Sequence, residues 1–166
     1  MNRGDTEKQA CIRDRLTSAT DSPVEDRYVS VINAKIQPGM RVLDIGCGTG
    51  HVIAQIAPLQ HRAFFYGLDI SPAMIRRAQG RTKKYKNVSS ILGDGLNLPF
   101  ADGALDMVAT RLAEFAPAEA YRVLRQGGLF FECGLGPESD KEIREFFPAR
   151  IIEENFCLPK HPNRWH

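Results

Sequence analysis

No apolar run in the sequence approaches ~18 residues, which excludes a membrane-spanning helix. The first twenty residues, MNRGDTEKQACIRDRLTSAT, hold no apolar core, which argues against a secretory signal. Charge of one sign is scarce. The 22 Lys and Arg stand against 20 Asp and Glu, and a net charge of +2 disfavours nucleic acid as a partner. Repetitive tracts are absent. The four cysteines, Cys11, Cys47, Cys133 and Cys157, contain no C-x-x-C pair and are too widely spaced for a disulfide framework. The tail holds only Cys157, His161 and His166 as loosely spaced ligands, whereas zinc takes about four, so no metal site is expected. These absences predict a reduced, cytoplasmic protein without membrane contact. What is present is one domain's worth of chain: 166 residues, 43% of them apolar.

Residues 1–22 show no sustained period and read as a mobile arm, leaving 23–166 as the folded domain. Pro23 opens a helix whose apolar stripe is Val24, Tyr28, Val31, Ile32 and Ile36. RVLDI (41–45) is a buried-strand signal, followed by GCGTG (46–50) and a short helix from His51 that Pro58 stops. AFFYGLD (63–69) is a second strand. Ser71-Pro72 is a helix start, with Ser as N-cap and Pro at the first helical position, and the helix extends to about Lys83. NVSSILGD (87–94) and ALDMVAT (104–110) are the third and fourth strands. Ala116-Pro117 opens a helix with Ala120, Val123 and Leu124 on one face, ended by Gly127-Gly128. GLFFECG (128–134) is the fifth strand. Pro137 opens a last helix with Ile143, Phe146 and Phe147, closed by Pro148, and 149–158 suggests a short strand.

Strand and helix therefore alternate. The strands are apolar throughout, as strands covered on both faces are. This predicts an α/β fold: a doubly wound, mostly parallel, Rossmann-like sheet in three layers, with a shortened C-terminal end. In such sheets ligands bind beyond the carboxyl ends of the strands, so the residues just after each strand carry the functional information.

After the first strand, Gly46-Cys47-Gly48-Thr49-Gly50 suits either a tight turn or a backbone brought close to a ligand. After the second comes Asp69, 21 residues beyond Gly48, placed to accept from both hydroxyls of a ribose or to favour the next helix dipole. After the third comes Asp94, able to accept from an exocyclic amine such as that of adenine, or to close a turn. Together the three describe a bound adenosine. The dinucleotide fingerprint G-x-G-x-x-G/A is not met, since His51 occupies its last position, and no P-loop lysine follows. The nucleoside is therefore expected to lack phosphates, which disfavours a nicotinamide cofactor.

The segments VLDIGCGTG, YGLDIS, GDGLNLPFADGALDMV and EAYRVLRQGGLFF, in this order and spacing, resemble the class I S-adenosylmethionine-dependent methyltransferases over roughly residues 40–135. The resemblance implies S-adenosylmethionine as cofactor. Asp44 and the backbone of Gly46, Cys47 and Gly48 would hold its methionine part, and Gly50 would permit a close helix start. Asp69 would grip the ribose, with Ile70 against the adenine face. Asp94 would take the adenine amine, with Gly95 and Leu96 beside the ring. Thr110 or Arg111 would lie near the methyl-transfer end. The implied activity is methyl transfer to an unidentified acceptor, expected to be a small molecule. The alternative is a cofactor-binding module inactive alone, because about thirty residues after the fifth strand are few for the family's last two strands. An open sheet edge there would suit pairing in a homodimer.

A sulfonium is already a good leaving group, so alignment supplies most of the rate and no fixed catalytic residue is expected. Glu114 and His51 are the nearest candidates by position, and each also suits a surface or packing role. Asp106, inside the fourth strand, reads as structural. Arg76, Arg77, Arg81, Lys83, Lys84 and Lys86 form a basic run that suits a solvated helix face better than an RNA contact.

Overall fold

The computed structural model describes residues 23–133, with side chains from residue 26 onward. The expected arm at 1–22, the helix from Pro137, the strand at 149–158 and the tail cysteine and histidines lie outside the described residues. In chain order the elements are α1 (Pro23–Lys35), β1 (Arg41–Ile45), α2 (His51–Ile56), β2 (Phe64–Asp69), α3 (Pro72–Thr82), β3 (Val88–Leu92), β4 (Leu105–Arg111), α4 (Pro117–Val123) and β5 (Leu124–Cys133). Every described strand pair is parallel, in the order β3-β2-β1-β4-β5. The expected doubly wound α/β sheet is thus present.

Alternation along the central strand builds the layers. Val42 packs into a cluster with Tyr28 and Ile32 of α1, Ile53 and Ile56 of α2 and Ile75 of α3. Leu43 and Ile45 point the other way, into a cluster with Leu98, Ala120 and Val123 of the opposite layer. Each fully buried aliphatic side chain of this kind contributes roughly 1.5–3 kcal/mol. Of the stripe read for α1, Tyr28, Ile32 and Ile36 (just past its end) are 0%, 2% and 7% exposed and Val31 is half-buried, while the side chain of Val24 lies outside the described ones.

Local chemistry sets the boundaries. At α3 the Ser71 hydroxyl accepts from the Met74 amide at 3.4 Å, with Pro72 in the first turn. The long β3–β4 connection is fastened by Arg122 of α4. Its guanidinium donates to the carbonyls of Leu98 (3.1 Å) and Phe100 (2.8 Å), to Asp102 Oδ1 (2.7 Å) and to both oxygens of Glu119. Asp106 is structural, as its position in β4 predicts. Its carboxylate accepts from the Arg41 amide (2.8 Å) and from Arg125 Nε (2.6 Å).

One boundary differs from expectation. Leu124 is not helical, because α4 ends at Val123 and β5 begins at Leu124. Gly127 does have φ +76°, but it lies in an irregularity of β5 and not at a helix end. Leu105 pairs with Leu124 and Met107 with Leu129, so extra residues of β5 bulge out between the two pairs. Among the described residues no helix is long and apolar enough to cross a membrane.

Candidate functional site

The strand order reverses between β1 and β4, and the carboxyl ends of the strands there border a cleft of about 500 Å³. That volume suits a nucleoside-sized ligand. Nine of the twelve residues singled out from the sequence line it. Asp44, Gly46, Cys47 and Gly48 come from the end of β1 and its turn, Asp69 from the end of β2 with Ile70 just after it, Asp94 and Gly95 from the loop after β3, and Arg111 from the last position of β4. Gly50, Leu96 and Thr110 are not brought to its wall. Gly50 seats α2 against α3: at φ +73° its Cβ would lie 3.1 Å from that of Ala78. Leu96 is half exposed, and its amide donates to Asp94 Oδ1 at 2.9 Å. Thr110 is wholly buried, and its hydroxyl finds no partner among the described residues.

The turn after β1 follows from its glycines. Gly46 (φ +70°) and Gly48 (φ +54°) adopt a left-handed backbone that other residues enter at a cost of roughly 1–2 kcal/mol. At Gly46 a methyl group would also collide with the side chain of Ala113. The amides of Gly46 and Cys47 both donate to Leu68 O (2.8 and 3.0 Å), and that of Gly50 to Cys47 O (2.9 Å). The Gly48 amide donates to Asp69 Oδ2 at 2.9 Å, while Asp69 Oδ1 accepts from the Ser71 amide at 2.8 Å. The turn therefore spends these amides internally and does not aim them at an anion. Each Asp69 oxygen still has a second lone pair for a ligand hydroxyl.

Electrostatics point the same way. Among the described residues the lining side chains include four carboxylates, Asp44, Asp69, Asp94 and Glu114, against a single guanidinium, Arg111. Asp44 is 8% exposed, and no described residue donates a hydrogen bond to it. Burial pushes its carboxyl up from 3.8 to about 7; Arg111 opposes the rise and Asp69 adds to it. A buried carboxylate in this condition favours a cationic ligand group. Burial, with help from Asp44 and Asp69, also pushes the Cys47 thiol far up, so it lines the cleft as an inert small side chain.

His51 and Glu114 both line the cleft. His51 Nδ1 lies 3.3 Å from Arg81 Nη1, which also donates to Thr49 Oγ1 at 2.9 Å. The segment after β4 contributes more than the sequence indicated. Leu112 has φ +54°, the one non-glycine in the left-handed region among the described residues, and it is 61% exposed on the cleft wall. Its amide donates to Cys133 O at 3.0 Å, so pairing to the end of β5 holds the strained residue in place. A Cβ on Gly95 would lie 2.5 Å from Glu114 O, so the loops after β3 and β4 touch through a glycine. Among the described residues no group of three His, Cys, Asp or Glu could hold a metal ion.

The chain is similar in sequence and fold to known proteins. A malonyl-[acyl-carrier protein] O-methyltransferase from Laribacter hongkongensis is 31% identical over 160 residues, 87% of this chain and 54% of the relative. One of the same name from Dechloromonas aromatica is 35% identical over 126 residues, 72% of this chain and 45% of the relative. The chain spans about half the length of the curated relatives it matches. Among solved structures, a SAM-dependent methyltransferase from Geobacter sulfurreducens in complex with S-adenosyl-L-homocysteine superposes with a TM-score of 0.55. It is 24% identical, and the match covers 66% of this chain and 47% of that one, a likeness of fold. Residues 36–154 match the methyltransferase-domain family itself, and with that match over most of its length the chain belongs to the S-adenosylmethionine-dependent methyltransferases.

Proposed function

We propose that the chain binds S-adenosylmethionine in the cleft at the tips of β1, β2 and β3 and transfers its methyl group to a carboxylate oxygen of a small or carrier-linked acid. The buried Asp44 carboxylate carries the first half of this reading. It has no donor among the described residues and sits beside a glycine turn whose amides are already used, which suits a cationic ligand without phosphates. Asp44, with the carbonyl oxygens along Gly46, Cys47 and Gly48, holds the cationic methionine end, since the amides of that turn are spent internally. Asp69 accepts from the ribose hydroxyls through its spare lone pairs, with Ile70 against the adenine face. Asp94, whose Oδ1 is engaged by the Leu96 amide, offers Oδ2 to the adenine amine, beside Gly95.

When bound, the cofactor supplies an electrophilic methyl on a sulfonium leaving group. The chain has to orient the acceptor and keep water out, and alignment can supply most of the acceleration. A carboxylate acceptor is already ionised at neutral pH, so no general base is required. Arg111, a guanidinium on the β4 side of the wall, gives that side the positive potential that suits an anionic acceptor. Relatives named malonyl-[acyl-carrier protein] O-methyltransferase support the acceptor class.

The test combines calorimetry with S-adenosylmethionine and a labelled-methyl assay on malonyl thioesters, carrier-linked and free. Micromolar binding with label in the thioester is the expected result. Binding without transfer to any carboxylate would leave the chain a cofactor-binding module, and no binding would end the reading.

A further inference from the structure

Between Asp44 and Asp94 the sequence contains one acid, Asp69, and seven Lys or Arg. The three acids lie at the carboxyl tips of β1, β2 and β3 or just beyond, and line the cleft. Because all five strands run parallel, the segments that lead into them gather at the opposite end of the sheet. Direct bonds hold three of these segments together. Asn87 Nδ2 donates to Ala63 O (2.9 Å) and Gln60 O (3.3 Å), which joins the approach to β3 to the approach to β2. Gln60 Nε2 donates to Asn33 O (3.2 Å) and Oδ1 (3.0 Å), which brings in the end of α1.

This end of the sheet presents Lys35, Arg62, Lys83, Lys84 and Lys86, all exposed. Two large apolar side chains are exposed in the same segments, Leu59 at 64% and Phe64 at 51%. The acids at this end lie on the β4 side and are already paired, Asp102 with Arg122 and Asp106 with Arg41 and Arg125. Among the described residues the approach to β1, β2 and β3 is therefore cationic, with apolar points and no acid.

Against the sequence expectation of no membrane contact, which rested on the lack of a spanning helix, we propose that this end of the sheet rests on the surface of an anionic phospholipid bilayer, the cations at the headgroups and Leu59 and Phe64 in the interfacial layer. Charge complementarity together with the apolar points argues for the occupant: a lipid surface is uniformly anionic over an apolar interior, which matches cations set beside exposed Leu59 and Phe64. A nucleic-acid backbone would suit the cations but leave Leu59 without a counterpart, and the Tyr85 ring is covered by Lys84 Nζ at 5.1 Å and not left open for stacking. Docking here leaves the cleft, at the other end of the strands, open to ligand.

The experiment is vesicle flotation of the full chain with phosphatidylcholine alone and with phosphatidylcholine mixed with phosphatidylglycerol, at low and high salt. A single-stranded RNA oligonucleotide is titrated alongside. The variants are the triple Lys83→Gln/Lys84→Gln/Lys86→Gln and the single Leu59→Ser, none of which touches the cleft. Calorimetry with S-adenosylhomocysteine checks that each variant is folded. Binding to the phosphatidylglycerol vesicles is expected, abolished by salt. The triple substitution should weaken it about a hundredfold, from about fivefold per cation. Leu59→Ser should weaken it about tenfold. Equal binding to both vesicle types, no binding to either, or tighter binding to RNA than to the anionic vesicles would overturn the proposal.

Discussion

Replacing Asp44 with Asn tests the electrostatics of the cleft without changing its shape. The wild-type carboxyl ionises near pH 7 when folded and near 3.8 when unfolded. Between those values unfolding releases a proton, so folding stability falls as pH rises through that window, and the full penalty applies above about pH 7. The displacement corresponds to an upper figure of roughly 4 kcal/mol. Removing the charge also removes the carboxylate that faces Arg111, so a net gain of about 2 kcal/mol at pH 8 is the working expectation, or a Tm rise of roughly 5 °C for a chain of this size. At pH 4 the two proteins should melt together, because the wild-type side chain is then neutral as well. Cofactor binding should move the other way. A cationic ligand selects the ionised carboxylate, so wild-type affinity should be constant above pH 7 and fall about tenfold per pH unit below it. Asp44→Asn should bind weakly at every pH. Thermal melts and calorimetry across pH 4–8 provide the check. Parallel melting curves, or a substituted protein that is less stable at pH 8, would refute the reasoning.

Other substitutions probe the neighbouring parts. Gly46→Ala should abolish cofactor binding and destabilise the fold by about 2 kcal/mol or more, since it meets both a left-handed backbone and the Ala113 side chain. Adding Ala113→Gly should recover only part of the loss, measured by denaturant unfolding. Leu112→Gly should stabilise the apo protein by about 1 kcal/mol, because the residue is mostly exposed and its strain is relieved. A loss of stability in the same assay would contradict that account. Arg122→Ala strips the bonds that hold the β3–β4 loop and should lower the Tm, whereas an unchanged melting curve would contradict that role.

The parts legible in the sequence are those fixed by local chemistry. The β1 run with its alternating glycines, and the Ser71-Pro72 helix start, lie where the sequence places them, because a left-handed turn and a capped first turn have few residue solutions. The end of α4 was not legible. Gly127-Gly128 looks like a helix terminus, and the pairing of Leu124 with Leu105 overrides it. The cleft carboxylates were visible as residues after strands, but the shift of Asp44 depends on burial by parts distant in sequence. Leu112 carried no signal, since its conformation is imposed by β5. Lys83, Lys84 and Lys86, part of the basic run that reads as a solvated helix face, share the lead-in end of the sheet with Arg62 and Lys35 only through the parallel topology.

The central claim is that a phosphate-free, positively charged nucleoside occupies the cleft. Its most direct test is calorimetric titration of the wild-type chain and Asp69→Ala with S-adenosylmethionine, with NAD as the competing dinucleotide. Single-site micromolar binding of S-adenosylmethionine, undisturbed by NAD and at least tenfold weaker in the variant, is the predicted result. Binding of NAD at the same site with comparable affinity, or an Asp69→Ala protein that binds S-adenosylmethionine as tightly as wild type, would contradict it.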